Sequence, residues 1–214
     1  MGDSFTTVTA TKMPSRLFEL VKKDILAEFR TKSIFSFSLL FAITAAFLFS
    51  AAEAEFVPSM ILILVFTNIL GLSASYLREV DTGTMEGLKA SPLSAAEILL
   101  AKVIFNIFVS SAILVILFPV SYALFDVAAN FAELFAYFEA VNVSVAIAIS
   151  ALTPLVSSSR ARELLLPVLM FPILYPVLSS SLDLLMNSNP AALEFLALYS
   201  IAILALSLAL ADYL

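Results

Sequence analysis

The sequence lacks cysteine and histidine altogether, and it has only four glycines among 214 residues. Without cysteine the chain has neither a disulfide framework nor a thiolate metal site. Without histidine it lacks the commonest metal ligand, the usual ligand of haem iron and the usual general base. None of the glycines, at positions 2, 71, 83 and 87, begins a G-x-x-x-x-G-K-[ST] phosphate loop. We therefore expect a non-catalytic chain, and any ATPase that drives it must be a separate polypeptide.

Charged residues are also scarce, at 13% of the chain against 62% hydrophobic residues, and the mean hydropathy is +1.06. Soluble domains are about 45–50% apolar and about 25% charged. The composition therefore predicts an all-α membrane protein that crosses the bilayer several times. We expect membrane lipids and other proteins as partners, and no nucleic acid.

The N-terminal region divides into two parts. Residues 1–13 are polar and rich in serine and threonine, which predicts a flexible tail. Residues 14–32 predict an amphipathic helix in the membrane interface, because apolar side chains recur at helical spacing opposite basic ones. The apolar positions are Leu17, Phe18, Val21, Ile25 and Phe29. The alternative is a helix that packs on a soluble partner domain.

Six apolar runs follow, within a predicted transmembrane domain of residues 33–214. Each has close to the roughly 20 residues that cross about 30 Å of hydrocarbon. All eleven basic residues precede the first run or lie in the connections after the second and fourth runs. The positive-inside rule therefore predicts a cytoplasmic location for these connections and for both termini. The runs are residues 33–52, 56–77, 103–125, 134–156, 164–182 and 191–210.

Residues 77–102, called the hinge here, form the longest polar interruption after the N-terminal region. Ser94 and Glu97 have the spacing of a capping box, which predicts a helix that begins there and continues into the third run. Residues 84–89 predict a short transverse helix, and the acidic side chains Glu79, Asp81 and Glu86 would suit a basic groove on a partner. The alternative is a solvated connector.

The hinge resembles the signature G-[ST]-L-E-x-L…P-L…A-K-V of CcmB, the permease subunit of the ABC transporter for cytochrome c maturation. Pro172 and Pro176 are similar to the P-x-x-x-P of that family's fifth span. The chain departs from the family at Ser73 and Ala74, where an acidic–basic pair is common, and at Asn106, where a histidine is common, so it resembles a divergent member. The matching residues are Gly83-Thr84-Met85-Glu86, Leu88, Pro92-Leu93 and Ala101-Lys102-Val103.

The resemblance implies an ABC-2-type permease in the cytoplasmic or inner membrane. It implies four kinds of partner: a CcmA-like ATPase, a second permease copy, a CcmC-like haem-handling membrane protein and a CcmE-like haem chaperone. ATP would be bound by the ATPase and used to release the loaded chaperone. Haem is then cargo of the complex and not a cofactor of this chain, which could ligate iron only through Met or Tyr. The expected ATPase contact is Glu79, Asp81, Gly83, Thr84, Glu86, Leu88 and Pro92.

Two alternatives stay open, namely an ABC-2-type exporter of a lipid, drug or other small substrate, and an ATP-independent channel or scaffold. Polar residues inside the spans are candidates for function because they are costly there. They are Asn68, Asn106, Glu139 and Asn142, and we interpret Glu139 as interfacial rather than as part of a proton relay. Three prolines of the fifth run, Pro167, Pro172 and Pro176, predict a break or bend, either a moving gate or a fixed kink.

Overall fold

The computed structural model describes the backbone of residues 4–31, 33–81, 94–151 and 162–211, and the side chains of residues 16–31, 33–71, 94–151 and 171–211. These residues form seven helices and the short turns between them, in agreement with an all-α fold. The helices are α1 (Ser4–Thr31), α2 (Ser33–Ala51), α3 (Phe56–Asp81), α4 (Ala95–Leu124), α5 (Phe131–Ala151), α6 (Arg162–Asn187) and α7 (Pro190–Ala211).

Four of these helices, α2, α4, α5 and α7, are long and apolar enough to cross a membrane, and α3 contributes a shorter apolar stretch, Phe56–Gly71. Parts of α3 and α6 have no described side chains, so the crossing of the membrane by all six helices after α1 stays a prediction. The apolar composition, which is unusual for a soluble domain, is thus explained by helices that are long and apolar enough to cross a bilayer.

The first helix begins earlier than the sequence suggested. Residues 4–13 are helical and belong to α1, whereas the sequence suggested a flexible tail over residues 1–13. Serine and threonine have only modestly poor helix propensity, and no glycine or proline lies between residues 4 and 13 to end the helix. Proline is common in the first turn of a helix, so Pro14 suggested a helix start there, whereas α1 begins at Ser4 and continues through Pro14.

The predicted capping box is confirmed at the start of α4. Ser94 Oγ accepts a hydrogen bond from the Glu97 N–H at 3.2 Å, and the Ser94 N–H donates to Glu97 Oε2 at 2.9 Å. The helix continues for 30 residues, which corresponds to about 45 Å. Because this exceeds a hydrocarbon thickness of about 30 Å, α4 has turns to spare for contacts outside the apolar layer.

Consecutive helices from α2 to α7 alternate in direction. The start of α4 packs on the last residue of α7, and Ser207 of α7 donates to the carbonyl of Ala151 at the end of α5, at 2.9 Å. At the other end of the bundle, Ser50 of α2 donates to the carbonyl of Leu124 at the end of α4, at 2.8 Å. We call the end that holds α1 and the N-termini of α2 and α4 the α1 end, and the other the opposite end.

The core lies around α4 and α5. In their most apolar stretches, 50% and 56% of the residues are buried, against 22% and 17% in α2 and α7. The peripheral helices therefore present most of their apolar side chains to the surroundings, as lipid-facing helices do. At the opposite end, the fully buried Phe118 contacts several aromatic rings, those of Phe56, Tyr122, Phe131, Phe135 and Phe138.

Candidate functional site

A buried ion pair joins α1 to α4. Lys102 Nζ donates to Asp24 Oδ2 at 2.9 Å, and the two residues are only 7% and 4% exposed. Lys23 Nζ lies 3.4 Å from the other carboxylate oxygen. Breaking a buried pair by removing one partner leaves an uncompensated charge. The two helices are therefore held together at this point.

A second acidic residue joins α1 to α2. The N–H of Phe35 donates to Glu28 Oε1 at 2.8 Å. Phe35 is the third residue of α2, so its N–H is one of the donors that a helix N-terminus leaves without an intrahelical partner. A carboxylate there also complements the positive end of the helix dipole. Helix α1 thus holds the first turn of α2 and the second turn of α4 together.

The helix α1 has three faces, where the sequence suggested two. Leu20, Asp24 and Glu28, four residues apart, form the face buried against the bundle. Phe18 and Phe29, which were predicted on the apolar face, are each 64% exposed. Basic side chains make up much of the remaining face. The buried face therefore carries two carboxylates, and the exposed phenylalanines are available to a lipid interface.

A chain of polar side chains crosses the middle of the bundle. Asn68 Nδ2 of α3 donates to Asn142 Oδ1 of α5 at 3.0 Å, and Asn142 Nδ2 donates to Ser111 Oγ of α4 at 3.4 Å. The Ser111 hydroxyl donates to Glu139 Oε1. The three hydrogen bonds thus point in one direction, from Asn68 towards the carboxylate of Glu139, which is the only charged side chain among these four residues.

Some polar atoms in this region have no hydrogen-bond partner among the described residues. They include Glu139 Oε2 and Asn68 Oδ1, both buried. The fourth predicted polar residue, Asn106, belongs to a separate contact, in which its Nδ2 donates to Ser150 Oγ at 3.3 Å. Interhelical hydrogen bonds of this kind hold membrane helices together, at about 0.6 kcal/mol each on average. An unpartnered carboxylate oxygen, by contrast, is a cost that calls for an explanation.

The proline-containing helix α6 is continuous. It runs through Pro167, Pro172 and Pro176, so the prolines do not break the chain into two helices. The Tyr199 hydroxyl of α7 donates to the carbonyl of Ile173 at 2.9 Å. Neighbouring helices commonly satisfy backbone groups that proline disturbs in a membrane. A bend at the prolines, whether a gate or a fixed kink, stays a prediction.

The family model of the ABC-2 type transporter matches residues 15–175 of the 214. The match runs from the middle of α1 through α5, and it includes the hinge and the first half of α6. The chain belongs to the ABC-2 type transporter family. No curated protein sequence matches it.

An ABC-2 protein is a membrane subunit of an ABC transporter, generally non-catalytic, and an ABC ATPase is its partner. This family membership argues against the alternative of an ATP-independent channel or scaffold. Several residues predicted to meet the ATPase, namely Gly83, Thr84, Glu86, Leu88 and Pro92, lie outside the described residues. Glu79 and Asp81 belong to the last turns of α3, where only the backbone is described.

The predicted intramembrane residues have more definite positions. Asn68, Glu139 and Asn142 come together in one hydrogen-bonded chain, whereas Asn106 does not join it. Glu139 is partly buried and hydrogen-bonded within the ABC-2 bundle. The interfacial interpretation of Glu139 did not anticipate this contact.

Sequence reasoning missed four residues of the site, Asp24, Glu28, Lys102 and Ser111, as interacting groups. A signal for two of them was present, since Leu20, Asp24 and Glu28 share one helical face. The apolar Leu20 indicates that this face packs against other helices, and carboxylates on such a face need cationic side chains or backbone N–H groups as partners. Ser111 had no comparable signal, because serine inside an apolar helix most often bonds its own backbone.

Proposed function

We propose that this ABC-2 subunit is the permease of a CcmB-type transporter for cytochrome c maturation, and that it couples an ATPase docked on the hinge to the membrane complex. The observation that carries the coupling role is the Asp24–Lys102 ion pair. It ties α1 to the helix that begins directly after residues 82–93. The cytochrome c pathway is supported by the sequence resemblance within residues 83–103.

The geometry supports a mechanical route. A push on the part of the hinge before Ser94 reaches that residue, where the capping box closes the first turn of α4. Because α4 is one continuous helix, the displacement passes to Lys102 and through Asp24 to α1. Glu28 then carries it to the first turn of α2. In this proposal ATP is hydrolysed in the partner subunit, and the chain moves α1, α2 and α4 as one group.

A coupling role fits the side chains better than haem ligation does. The polar chain of the bundle contains asparagine, serine and glutamate, none of which is a usual ligand of haem iron. Haem would therefore be handled by the CcmC-like and CcmE-like partners. The proposal also includes a second copy of the permease, a cytoplasmic location of both termini, and an α1 that lies in the interface with Phe18 and Phe29 towards lipid.

Reversing one hinge charge tests the docking site. We expect Glu86→Lys to weaken co-purification of the ATPase in mild detergent while membrane insertion stays normal, because the acidic side chain would no longer complement a basic groove. Glu133→Lys, at the opposite end of the bundle, is the matched charge reversal and should leave ATPase recovery unchanged. Unchanged ATPase recovery with Glu86→Lys would reject the hinge as the docking site.

The pathway is tested by the other proteins in the same purification. Mass spectrometry should find a CcmC-like membrane protein and a CcmE-like chaperone together with the ATPase. Recovery of the ATPase without either haem-handling protein would reject the cytochrome c role and leave the subunit as an exporter.

The second candidate function is export of a lipid, drug or other small substrate. The observation that favours it is an open cleft between α5 and α7 with Glu139 in its wall. Glu139 is also the carboxylate on which the polar chain converges.

A further inference from the structure

The cleft between α5 and α7 has a volume of about 360 Å³. Five residues of each helix line it, and most of these are apolar, including Val143, Ile147, Leu193 and Ile201. Leu193 is 38% exposed and Ile201 is 64% exposed, so the wall formed by α7 faces the surroundings of the bundle. An apolar molecule could therefore enter sideways from a lipid phase.

The polar groups of the cleft differ in what they can offer a ligand. The Ser144 hydroxyl donates to the carbonyl of Ala140 at 3.0 Å, and the Ser200 hydroxyl donates to the carbonyl of Leu196 at 2.7 Å. Both hydroxyl protons are thus used within their own helices. The remaining polar side chain is Glu139, and none of the lining residues is basic.

The carboxylate of Glu139 is only half satisfied. Ser111 donates to Oε1, whereas Oε2 is buried with no hydrogen-bond partner among the described residues. Glu139 lines the cleft, and the terminal torsion of a glutamate has broad wells, so the carboxylate can turn towards a ligand there. A carboxylate without a cation in apolar surroundings is costly, and a cation that arrives through the cleft would remove that cost.

We infer that this cleft is a binding site for an amphipathic organic cation, whose apolar part packs between α5 and α7 and whose positive charge meets Glu139. The site takes one monovalent cation of a few hundred Å³. An anion of the same size is excluded by the carboxylate, and this includes haem with its two propionates. The inference therefore rests on the export function, the second candidate above, and not on the cytochrome c pathway.

Two hydrophobic ions of matched shape test the inference. Tetraphenylphosphonium is a cation, and tetraphenylborate is an anion of nearly the same size. Equilibrium binding to the full-length protein in lipid nanodiscs, corrected for empty nanodiscs, should show saturable binding of the cation alone. Glu139→Gln should weaken the cation's affinity at least about tenfold, since a charge interaction in a medium of reduced dielectric exceeds the 1.4 kcal/mol that a factor of ten represents.

A second variant guards against misfolding of Glu139→Gln. Ala197→Phe fills the cleft from α7 without touching the carboxylate, and it should also abolish saturable binding. Glu194→Gln removes an exposed charge from the same helix and should bind the cation as the wild type does. Equal binding of both ions, or cation binding that survives Glu139→Gln or Ala197→Phe, would overturn the inference. No ATPase is present in this assay, so its result is independent of the docking test on Glu86.

Discussion

At the α1 end of the bundle, charged groups make directional contacts between α1, α2 and α4, whereas at the opposite end aromatic rings pack α3, α4 and α5 together. The first set consists of the Asp24–Lys102 pair and the contact of Glu28 with the N–H of Phe35. The second set surrounds Phe118, whose neighbours' ring centroids lie 5.1–6.3 Å away. The same long helix, α4, takes part in both.

In the proposed coupling mechanism, this difference assigns the movement to the α1 end. A hydrogen-bonded ion pair is stable only within a narrow range of distances and angles, so a displacement of one helix either moves its partner helix or breaks the pair. Interfaces with two discrete arrangements can act as switches. Aromatic packing spreads its energy over many small contacts and resists separation of the helices. We therefore interpret the opposite end as the fixed part of the subunit, and the α1 end as the part that responds to the ATPase.

The largest effect is expected from removal of the central ring at the fixed end. Phe118→Ala should lower the free energy of unfolding by about 3–5 kcal/mol, because Phe118 is fully buried and its loss leaves a cavity. Thermal stability in detergent, followed by size-exclusion chromatography after heating, measures the change. Phe37→Ala is the control, since Phe37 is 60% exposed and should cost less than about 1 kcal/mol.

Phe118→Ala should leave the α1 end of the bundle intact. At a temperature where the variant is folded, it should bind the ATPase as the wild type does, since the α1 end is unchanged. Loss of ATPase binding by the folded variant would contradict the division into a fixed end and a responding end.

A somewhat smaller effect is expected at the α1 end. Lys102→Met leaves Asp24 buried without its closest cation and should cost about 3 kcal/mol. Lys23, at 3.4 Å from Asp24, compensates for part of the loss. The thermal stability assay should show recovery in the double variant Asp24→Asn/Lys102→Met, because no buried charge of the pair remains.

The double variant separates stability from coupling. It should fold and bind the ATPase, and yet show weaker stimulation of ATP hydrolysis by the membrane subunit, because the link between α4 and α1 is gone. A double variant with normal stimulation would mean that the pair only stabilises the fold, and the proposed mechanical route would be wrong.

The sequence predicted the helices well and their contacts poorly. A helix such as α7 can be predicted from the length and apolarity of its segment, because crossing a membrane requires one long apolar segment. The partner of Asp24 is 78 residues away in the chain. Such a pairing depends on how the helices pack, and no local pattern encodes it. Asn142 was found as a costly residue in a span, but its partners on α3 and α4 came only from the packing.

Helix ends show the same limit. The start of α4 could be predicted, because Ser94 and Glu97 carry a local chemical signal. The end of α2 at Ala51 was predicted to within one residue by the end of the apolar run at residue 52, although Glu53 occupies the position where glycine is commonest. The start of α1 was placed at Pro14 because proline is common in the first turn of a helix, whereas α1 begins at Ser4 and continues through that proline.

A moderate effect is expected from the cap of α4. Ser94→Ala should cost about 1 kcal/mol, because the Glu97 N–H loses its acceptor. Ser94→Asp should retain most of the stability, since aspartate is an equally good N-cap. If the first turn of α4 receives the push from the hinge, Ser94→Ala should also reduce stimulated ATP hydrolysis more than Ser94→Asp does. Equal effects of the two substitutions would remove the cap from the coupling route.

The smallest effects are expected at two turns of the fixed end. After α2 the Ala54 N–H bonds to the carbonyl of Phe49 at 3.0 Å, and after α4 the Val127 N–H bonds to that of Tyr122 at 3.2 Å. Both are six-residue closures of the Schellman type, which need a left-handed residue just before the donor. Here that residue is not glycine but Glu53, with φ 53°, or Asp126, with φ 48°.

Glycine at either position should therefore stabilise the protein. We expect Glu53→Gly to raise the free energy of unfolding by up to about 1 kcal/mol, because a left-handed conformation costs an ordinary L-residue about 1–2 kcal/mol and the flexibility of glycine returns part of that gain. Asp126→Gly should gain less, because aspartate tolerates this conformation better. Glu55→Gly, at a residue without positive φ, should bring no gain in the same thermal assay. A stabilisation by Glu55→Gly equal to that by Glu53→Gly would assign the effect to loss of negative charge at this end of the bundle, and not to the backbone.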